Sequence, residues 1–155
     1  MKTIIATVIF FYSITAYCQK QPCDKLTTTK DDLRGWKSLH SPYNEAIIVQ
    51  RTTWASGADS SFIQVIIKSL VSNSTNKGIY IQFDDGTFYR ESEALLQEHY
   101  IAGSYVAVGN IYLTNNNYAE FVNKKVVKIG LGGFTKAVNS KLSKNIPYYL
   151  QCIKN

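Results

Sequence analysis

The chain has 155 residues, of which 45% are hydrophobic and 18% charged, and its formal net charge at pH 7 is +6. This balance excludes a disordered chain, and the length suits one domain with a hydrophobic core of its own. The many Thr, Val and Ile residues and the eleven tyrosines favour strands over helices. Three cysteines and two histidines, in no ligand spacing, predict neither a metal site nor a bound cofactor.

Residues 1–18 have the pattern of an export signal. Lys2 supplies the basic start, residues 4–14 form the apolar run, and Ala16 and Cys18 place small side chains before the cleavage position. The run is shorter than the roughly 20 apolar residues that a bilayer-spanning helix needs. A buried N-terminal strand or helix is the alternative. We expect no integral membrane span after removal of the signal.

Cleavage would leave residues 19–155 as a single β-rich globular domain with a net charge of about +5. The expected location of this domain is secreted or periplasmic. A second route of processing would make Cys18 the lipidated first residue of an anchored lipoprotein. Tyr17, which precedes it, is larger than the residues that such sites prefer.

Cys23 and Cys152 remain after removal of the signal, one near each end of the domain. Two cysteines in an oxidising compartment usually pair, so we predict a disulfide bond between them. It would close a loop of about 130 residues. The chain-entropy model gives such a loop about 4–5 kcal/mol of stabilisation as an upper bound. Two free thiols are the alternative.

The first half of the domain predicts antiparallel strands. Residues 26–35 are polar and Thr-rich, as in an edge strand or an extended arm, and Pro42 marks a turn at residues 41–44. Strands are predicted over residues 45–54 and 61–71, and the short polar loop between them should make them pair antiparallel. The core face of the second strand would carry Ile63, Val65, Ile67 and Val71.

A β-hairpin is predicted at residues 78–90, where two β-rich runs flank Asp85-Gly86. This dipeptide tolerates the positive φ angles that a two-residue hairpin turn demands. Such a turn sets Phe83 opposite Phe88 across the ladder. One face of the hairpin would then carry Ile79, Ile81, Phe83 and Phe88.

The segment after the hairpin mixes helix and strand signals. Ser92 is a candidate N-cap for one or two helical turns over residues 92–98. A strand is predicted over residues 105–113, and Gly109 inside it indicates a bulge or a close approach of another backbone.

The last third of the chain predicts two helices around one more strand. Thr114 is a candidate N-cap of a short helix through residue 123, and a strand follows over residues 125–131. A C-terminal helix is predicted over residues 135–153, either kinked by Pro147 or shortened to begin near it. Its apolar stripe comprises Val138, Leu142, Ile146, Tyr149, Leu150 and Ile153. The expected fold is therefore α+β, mainly an antiparallel sheet or open sandwich of about six or seven strands with short helices and a C-terminal helix.

No catalytic residue is singled out by the sequence. His40 and His99 stand in no triad or ligand spacing, and serines are too numerous for any one to be identified as a nucleophile. The segment 130–133 is glycine-rich but lacks the spacing of a phosphate-binding loop. Glu91 and Glu93, two positions apart at a strand end, could form a carboxylate pair, whereas Asp84 and Asp85 flank a turn, where aspartate is expected for local hydrogen bonds. No catalytic role is assigned to these four residues.

Charge and aromatic side chains leave two further interpretations open. After Glu120 the chain has no acidic residue but has seven lysines, namely Lys124, Lys125, Lys128, Lys136, Lys141, Lys144 and Lys154. This region would either attract anionic surfaces or glycans weakly or form a solvated face. Tyr80, Tyr89 and Tyr112 would either form an exposed aromatic face or cover a second layer.

The chain resembles a group of small secreted proteins of Bacteroidota that have no characterised function. The shared features are residues 41–45, the hairpin at 83–87, Leu113-Thr114, the strand at 126–131 and Cys152. The glycines at 130–133 depart from the bulkier strand end expected in that group. The resemblance implies export, a bacterial source and one domain, and it transfers no catalytic residue.

The expected function is non-enzymatic, either binding or an accessory role in the cell envelope, because a well-patterned fold carries no assembled catalytic set. One alternative is a secreted hydrolase whose site is assembled from scattered residues, with His40 or His99 beside a carboxylate and a serine in a pocket. Another is an inhibitor of a secreted enzyme. An inhibitor should present a rigid exposed loop, for which residues 72–77 are the candidate.

Overall fold

The computed structural model describes residues 22–43 and 45–154. These residues form ten strands in two antiparallel sheets, together with two α-helices. The expected α+β class is confirmed, although the strands are more numerous than the six or seven predicted. The predicted signal at residues 1–18 lies outside the described residues.

The larger sheet has six strands in the order β1-β2-β3-β4-β8-β7. These strands are β1 (Thr27–Asp31), β2 (Trp36–His40), β3 (Ile47–Trp54), β4 (Asp59–Ser69), β7 (Gln97–Ile101) and β8 (Ser104–Tyr112). β1 lies at one edge, as the edge-strand interpretation of residues 26–35 predicted. β3 and β4 pair antiparallel, which confirms the expectation from their short loop.

The smaller sheet has four strands in the order β10-β9-β5-β6. Its strands are β5 (Lys77–Phe83), β6 (Phe88–Leu95), β9 (Val126–Leu131) and β10 (Phe134–Ala137). A short 3₁₀ turn (Pro22–Lys25) and the helices α1 (Asn115–Asn123) and α2 (Ser140–Lys154) complete the fold.

The core lies between the two sheets and the helices. β4 contributes Ile63, Val65 and Ile67, whereas Val71 is exposed because β4 ends at Ser69. The prediction for Val71 was therefore wrong. Gly109 makes a close contact, but with side chains instead of the predicted backbone, since a Cβ there would lie 2.8 Å from the Ile79 Cδ1 atom of the opposing sheet. Period-2 alternation placed most of this core correctly.

The β5–β6 turn differs from the predicted two-residue turn by one residue. The Phe83 N–H donates to the Thr87 carbonyl (3.0 Å) and the Gly86 N–H to the Phe83 carbonyl (3.1 Å), which makes a three-residue loop. Gly86 alone in this loop has positive φ, at 82°, whereas the two-residue turn needs it at both central positions. A one-residue shift moves every side chain of a strand to the other face.

That shift changes which aromatic residue of β6 reaches the core. Phe88 pairs with Gln82 instead of Phe83 and is 60% exposed, so its predicted place on the core face was wrong. Tyr89 pairs with Ile81 and packs on the core in its place.

The predicted helical turns at residues 92–98 are also wrong. The segment is extended, with β6 running to Leu95 in the smaller sheet and β7 starting at Gln97 in the larger one. The Leu96 N–H donates to the Asn76 carbonyl at 2.8 Å, where the chain passes between the sheets. Pairing with two neighbouring strands outweighs the weak helix preference of this segment.

Both helices pack where the sequence placed them, with one change of boundary. Thr114 caps α1, and Phe121 of α1 contacts Phe83 at 5.4 Å between ring centroids. The C-terminal helix begins at Ser140 instead of residue 135, because residues 134–137 pair with β9 as β10. It continues through Pro147 as one helix, so the alternative of a helix that begins near Pro147 is wrong.

Cys23 and Cys152 lie within disulfide-bonding distance, with 5.6 Å between their Cα atoms. This spacing is in the range of native disulfides. Cys23 belongs to the short 3₁₀ turn and Cys152 to the last turn of α2, so the two ends of the described chain lie side by side.

Candidate functional site

A groove of about 460 Å³ opens where the β2–β3 loop, the end of β4, the β7–β8 turn and β10 meet. One part of its lining is apolar: Ala46, Ile66, Ile101, Ala102 and Val106. The other part is polar: Tyr43, Glu45, Lys68, Ser104 and Lys136. Small-molecule sites have this volume range and this mixture of an apolar wall with a few polar groups. We call it the Glu45 groove.

Glu45 has the most unusual environment of the groove residues. Its Oε2 atom is buried and has no hydrogen-bond partner among the described residues. Burial raises the pKa of this carboxyl above its usual value, while the positive charges of Lys25 and Lys141 act in the opposite direction. A carboxyl with a raised pKa in a cleft is a candidate for contact with a ligand, because such perturbed groups are concentrated at functional sites.

Lys68 and Lys136 bring two ammonium groups to the same groove. Within residues 22–43 and 45–154, no carboxylate lies within 4.0 Å of either ammonium. Three other lysines are paired with carboxylates, namely Lys77 with Glu93 at 2.9 Å, Lys124 with Asp85 at 3.1 Å and Lys125 with Asp84 at 3.8 Å. Neither lysine therefore forms a salt bridge with a described carboxylate, although Glu45 lines the same groove.

The β7–β8 turn gives the groove a strained wall. Ile101 pairs with Ser104, so the turn has two central residues, and both have positive φ: 50° at Ala102 and 80° at Gly103. Ala102 is the only non-glycine residue in the described chain with positive φ. The left-handed conformation costs an L-residue about 1–2 kcal/mol, and such strain is concentrated at functional sites.

His40 supports the groove from below and does not enter a catalytic arrangement. It is 2% exposed, its Nδ1 atom lies 2.9 Å from the Ser41 carbonyl, and its ring stacks on Tyr43 at 3.9 Å. Its Nε2 atom is buried with no partner among the described residues. The Ser41 hydroxyl oxygen accepts the Val49 N–H at 3.0 Å, so it is engaged with the backbone and not with His40.

His99 and the four candidate carboxylates from the sequence lie outside the Glu45 groove. His99 is exposed on β7. Asp84 accepts the Lys125 N–H at 3.0 Å and Asp85 accepts the Thr87 N–H at 2.9 Å, which stabilises the β5–β6 turn. Glu91 accepts the Tyr89 hydroxyl, and Glu93 pairs with Lys77. Within the described chain, no cluster of three acidic, histidine or cysteine side chains could hold a metal ion.

The loop at residues 72–77 and the glycine-rich segment bind each other. The Asn73 side chain donates from Nδ2 to the Leu131 carbonyl (3.0 Å) and accepts the Gly133 N–H (3.2 Å). A Cβ at Gly132 would lie 2.7 Å from Asn73, so glycine is required for this contact. Glu98 holds the same loop by accepting the Ser72 hydroxyl at 2.6 Å.

The three tyrosines predicted as a possible aromatic face lie apart, whereas the interpretation of the seven lysines after Glu120 stays a prediction. Of the seven lysines after Glu120, only Lys136 lines the Glu45 groove. Tyr89 lies on the core side of the smaller sheet and Tyr80 on the other, while Tyr112 belongs to the larger sheet. An aromatic face of the three tyrosines is therefore excluded.

The sequence does not predict the groove. Glu45 marks only the start of the strand predicted over residues 45–54, and Lys68 lies within the strand predicted over residues 61–71. The one local signal is a carboxylate directly before the apolar run Ala46–Val49, where burial would raise its pKa. The groove needs four segments that are distant in the chain, so spacing could not reveal it.

No family model, curated protein or solved structure matches this chain. In the described part of the chain, no helix combines the length and apolar character needed to cross a membrane. The interpretation of the groove therefore rests on its own geometry and chemistry.

Proposed function

We propose that this protein is an exported, non-enzymatic binding domain that takes a small amphipathic anion into the Glu45 groove. Such a ligand has a carboxylate, sulfate or phosphate group attached to an apolar body. The observation that carries the proposal is the pair Lys68 and Lys136, which have no carboxylate partner in the described chain and stand beside an apolar wall.

The charge of the groove favours an anion over a cation. Lys68 and Lys136 line the groove, and the positive charges of Lys25 and Lys141 act on Glu45, the one acidic residue among the described lining residues. A lysine ammonium is a strongly hydrated point charge, and exposed charges are screened by salt. We expect moderate affinity that falls as ionic strength rises.

The apolar wall favours a ligand with a hydrocarbon portion. Ile66, Val106 and Ile101 provide a surface on which an aliphatic or ring body can be removed from water. Burial of apolar area contributes about 25 cal/mol per Å². The positive charge alone would attract any small anion, and the apolar wall favours an anion that carries a hydrocarbon portion.

Export remains part of the proposal. Its support is the signal pattern of residues 1–18, the closeness of Cys23 to Cys152, and the resemblance to exported proteins of Bacteroidota. The domain would act in the periplasm or outside the cell, free or anchored through Cys18.

The experiment uses octanoate as the probe, with acetate and octyl glucoside as comparisons. Octanoate titrated into the exported protein should shift the NMR signals of Ile66, Ile101 and Val106. Acetate has the charge without the body, and octyl glucoside has the body without the charge, so both should bind more weakly. Equal binding of octanoate and octyl glucoside would remove the role of charge.

Variants locate the effect in the groove. Replacement of both lysines, Lys68→Gln with Lys136→Gln, should weaken octanoate binding about tenfold, equivalent to ~1.4 kcal/mol. Lys128→Gln is the matched control, because Lys128 is exposed on β9 and does not line the groove. Unchanged affinity in the double variant would contradict the proposal.

A further inference from the structure

The two tryptophans of the chain lie side by side at the end of the larger sheet. Trp36 on β2 pairs with Trp54 on β3, and Trp54 is 39% exposed. Both line a second groove of about 450 Å³, separate in its lining residues from the Glu45 groove. We call it the tryptophan groove. The two indole rings are partly exposed and form one apolar surface, which a ligand can remove from water.

A carboxylate extends the tryptophan pair into a row. Asp31 on β1 pairs with Trp36, so Asp31, Trp36 and Trp54 occupy three neighbouring strands and point to one face of the sheet. Adjacent strands lie about 4.8 Å apart, and the row therefore spans about 10 Å. That length accommodates two adjoining rings of a linear ligand.

The groove is held in shape before any ligand arrives. The Arg34 N–H donates to Asp31 Oδ1 at 3.0 Å, which closes the β1–β2 turn. Gly35 has a φ of 65°, and its carbonyl accepts the Ala55 N–H at 2.7 Å, which ties this turn to the β3–β4 turn. A preformed site loses less conformational entropy on binding.

The charges of the tryptophan groove cancel, unlike those of the Glu45 groove. Asp31 and Asp32 contribute two negative charges, Arg34 lies 3.7 Å from the Asp31 carboxylate, and Lys30 and Lys37 lie on the opposite face of the sheet from Asp31 and Trp36. A cationic ligand gains from the indoles and carboxylates but is opposed by these positive groups, and an anion meets the reverse. A neutral ligand with many hydroxyl groups can donate hydrogen bonds to both carboxylates without an opposing charge.

We infer that the tryptophan groove binds a neutral oligosaccharide. The C–H faces of two sugar rings stack on Trp36 and Trp54, while the hydroxyl groups donate hydrogen bonds to Asp31 and Asp32. Aromatic side chains supply the apolar platform and a few polar groups fix the orientation. The surface serves a second ligand class and does not depend on anion binding in the Glu45 groove.

Tryptophan fluorescence tests this directly, because the chain has no tryptophan outside the groove. The probes are the neutral pentasaccharides of the cello, xylo, malto and laminari series, titrated one by one into the exported protein. At least one of them should change the emission saturably. Tetramethylammonium chloride is titrated as the cationic comparison and should give no saturable change.

Variants assign the change to the groove. Trp54→Ala should weaken binding of the responding sugar about tenfold or more, followed by NMR or calorimetry. Tyr148→Ala is the matched control, since Tyr148 is an exposed aromatic residue on α2 away from the groove. If Trp54→Ala fails to fold, Asp32→Ala at the exposed rim should still weaken binding severalfold. No response to any of the four sugars, or a saturable response to tetramethylammonium alone, would overturn the inference.

Discussion

Asp85 shows how a single exposed carboxylate is tuned by its turn. The Thr87 hydroxyl donates to it at 2.6 Å and the Thr87 N–H at 2.9 Å, and Lys124 lies 3.1 Å away. These contacts, with the Thr87 hydroxyl first, lower the pKa of Asp85 from 3.8 to about 2. We predict that Thr87→Ala raises this pKa more than Lys124→Ala does, as measured by carboxyl ¹³C NMR titration.

The lowered pKa of Asp85 determines how its contribution to stability changes with pH. Because the folded pKa lies below the unfolded one, Asp85 stabilises the fold above pH 3.8 and this contribution is lost as pH falls through about 2. The opposite order of the two variants would show that Lys124, and not the turn, sets the pKa.

Glu45 should have the opposite effect on stability. Its pKa is raised by burial, so the folded state favours the neutral acid, and ionisation above its usual pKa of 4.5 destabilises the fold as pH rises. We predict that Glu45→Gln stabilises the protein at pH about 8 and loses this advantage at pH about 4. Denaturant unfolding at both pH values measures the difference.

Glu93 is the matched control for this prediction. It is an exposed glutamate whose pKa is lowered by its hydrogen bond to Lys77, so Glu93→Gln should not stabilise the protein at the higher pH. An advantage of Glu45→Gln that is equal at both pH values would contradict the assigned cause.

At the scale of elements, Gly109 determines how closely β8 approaches the smaller sheet. A Cβ at this position would lie 2.8 Å from Ile79 Cδ1 and 3.0 Å from Leu131 Cδ2. We predict that Gly109→Ala lowers the free energy of unfolding by about 1–3 kcal/mol, the usual cost of overpacking. Gly133→Ala is the control, since its nearest neighbour would be 3.4 Å away, and its unfolding midpoint should change little.

Two segments show when a local cap signal is enough to predict a helix. Thr114 predicted the start of α1, because its hydroxyl accepts the Asn117 N–H within a capping box, which is a local contact. Residues 92–98 carried an equally local cap signal at Ser92 but form strands, because β5 and β8 offer them backbone partners. A local cap therefore predicts a helix only where no neighbouring strand pairs with the backbone of the segment.

In the whole molecule, Cys23 and Cys152 bring the two ends of the described chain within disulfide-bonding distance, and we predict a bridge between them. Intact mass after alkylation, with and without reductant, should show one bridge in the exported protein. Replacement of both cysteines by serine should lower the free energy of unfolding by up to about 4–5 kcal/mol, since the loop between them spans 129 positions. Two alkylatable thiols before reduction would contradict the bridge.

The amino-acid order is enough to predict the fold class, the strand periodicity, the α1 cap and the closeness of Cys23 to Cys152. Each of these depends on hydrophobic periodicity, on local hydrogen bonds or on the number of cysteines, all of which can be read from the order of the residues. Only the tertiary structure shows the one-residue change in the register of Phe88, the extended conformation of residues 92–98 and the two grooves. Trp36 and Trp54 are 18 positions apart and become neighbours only through the register of β2 with β3. Register and grooves depend on contacts between distant segments, and those contacts exist only once the sheets have packed.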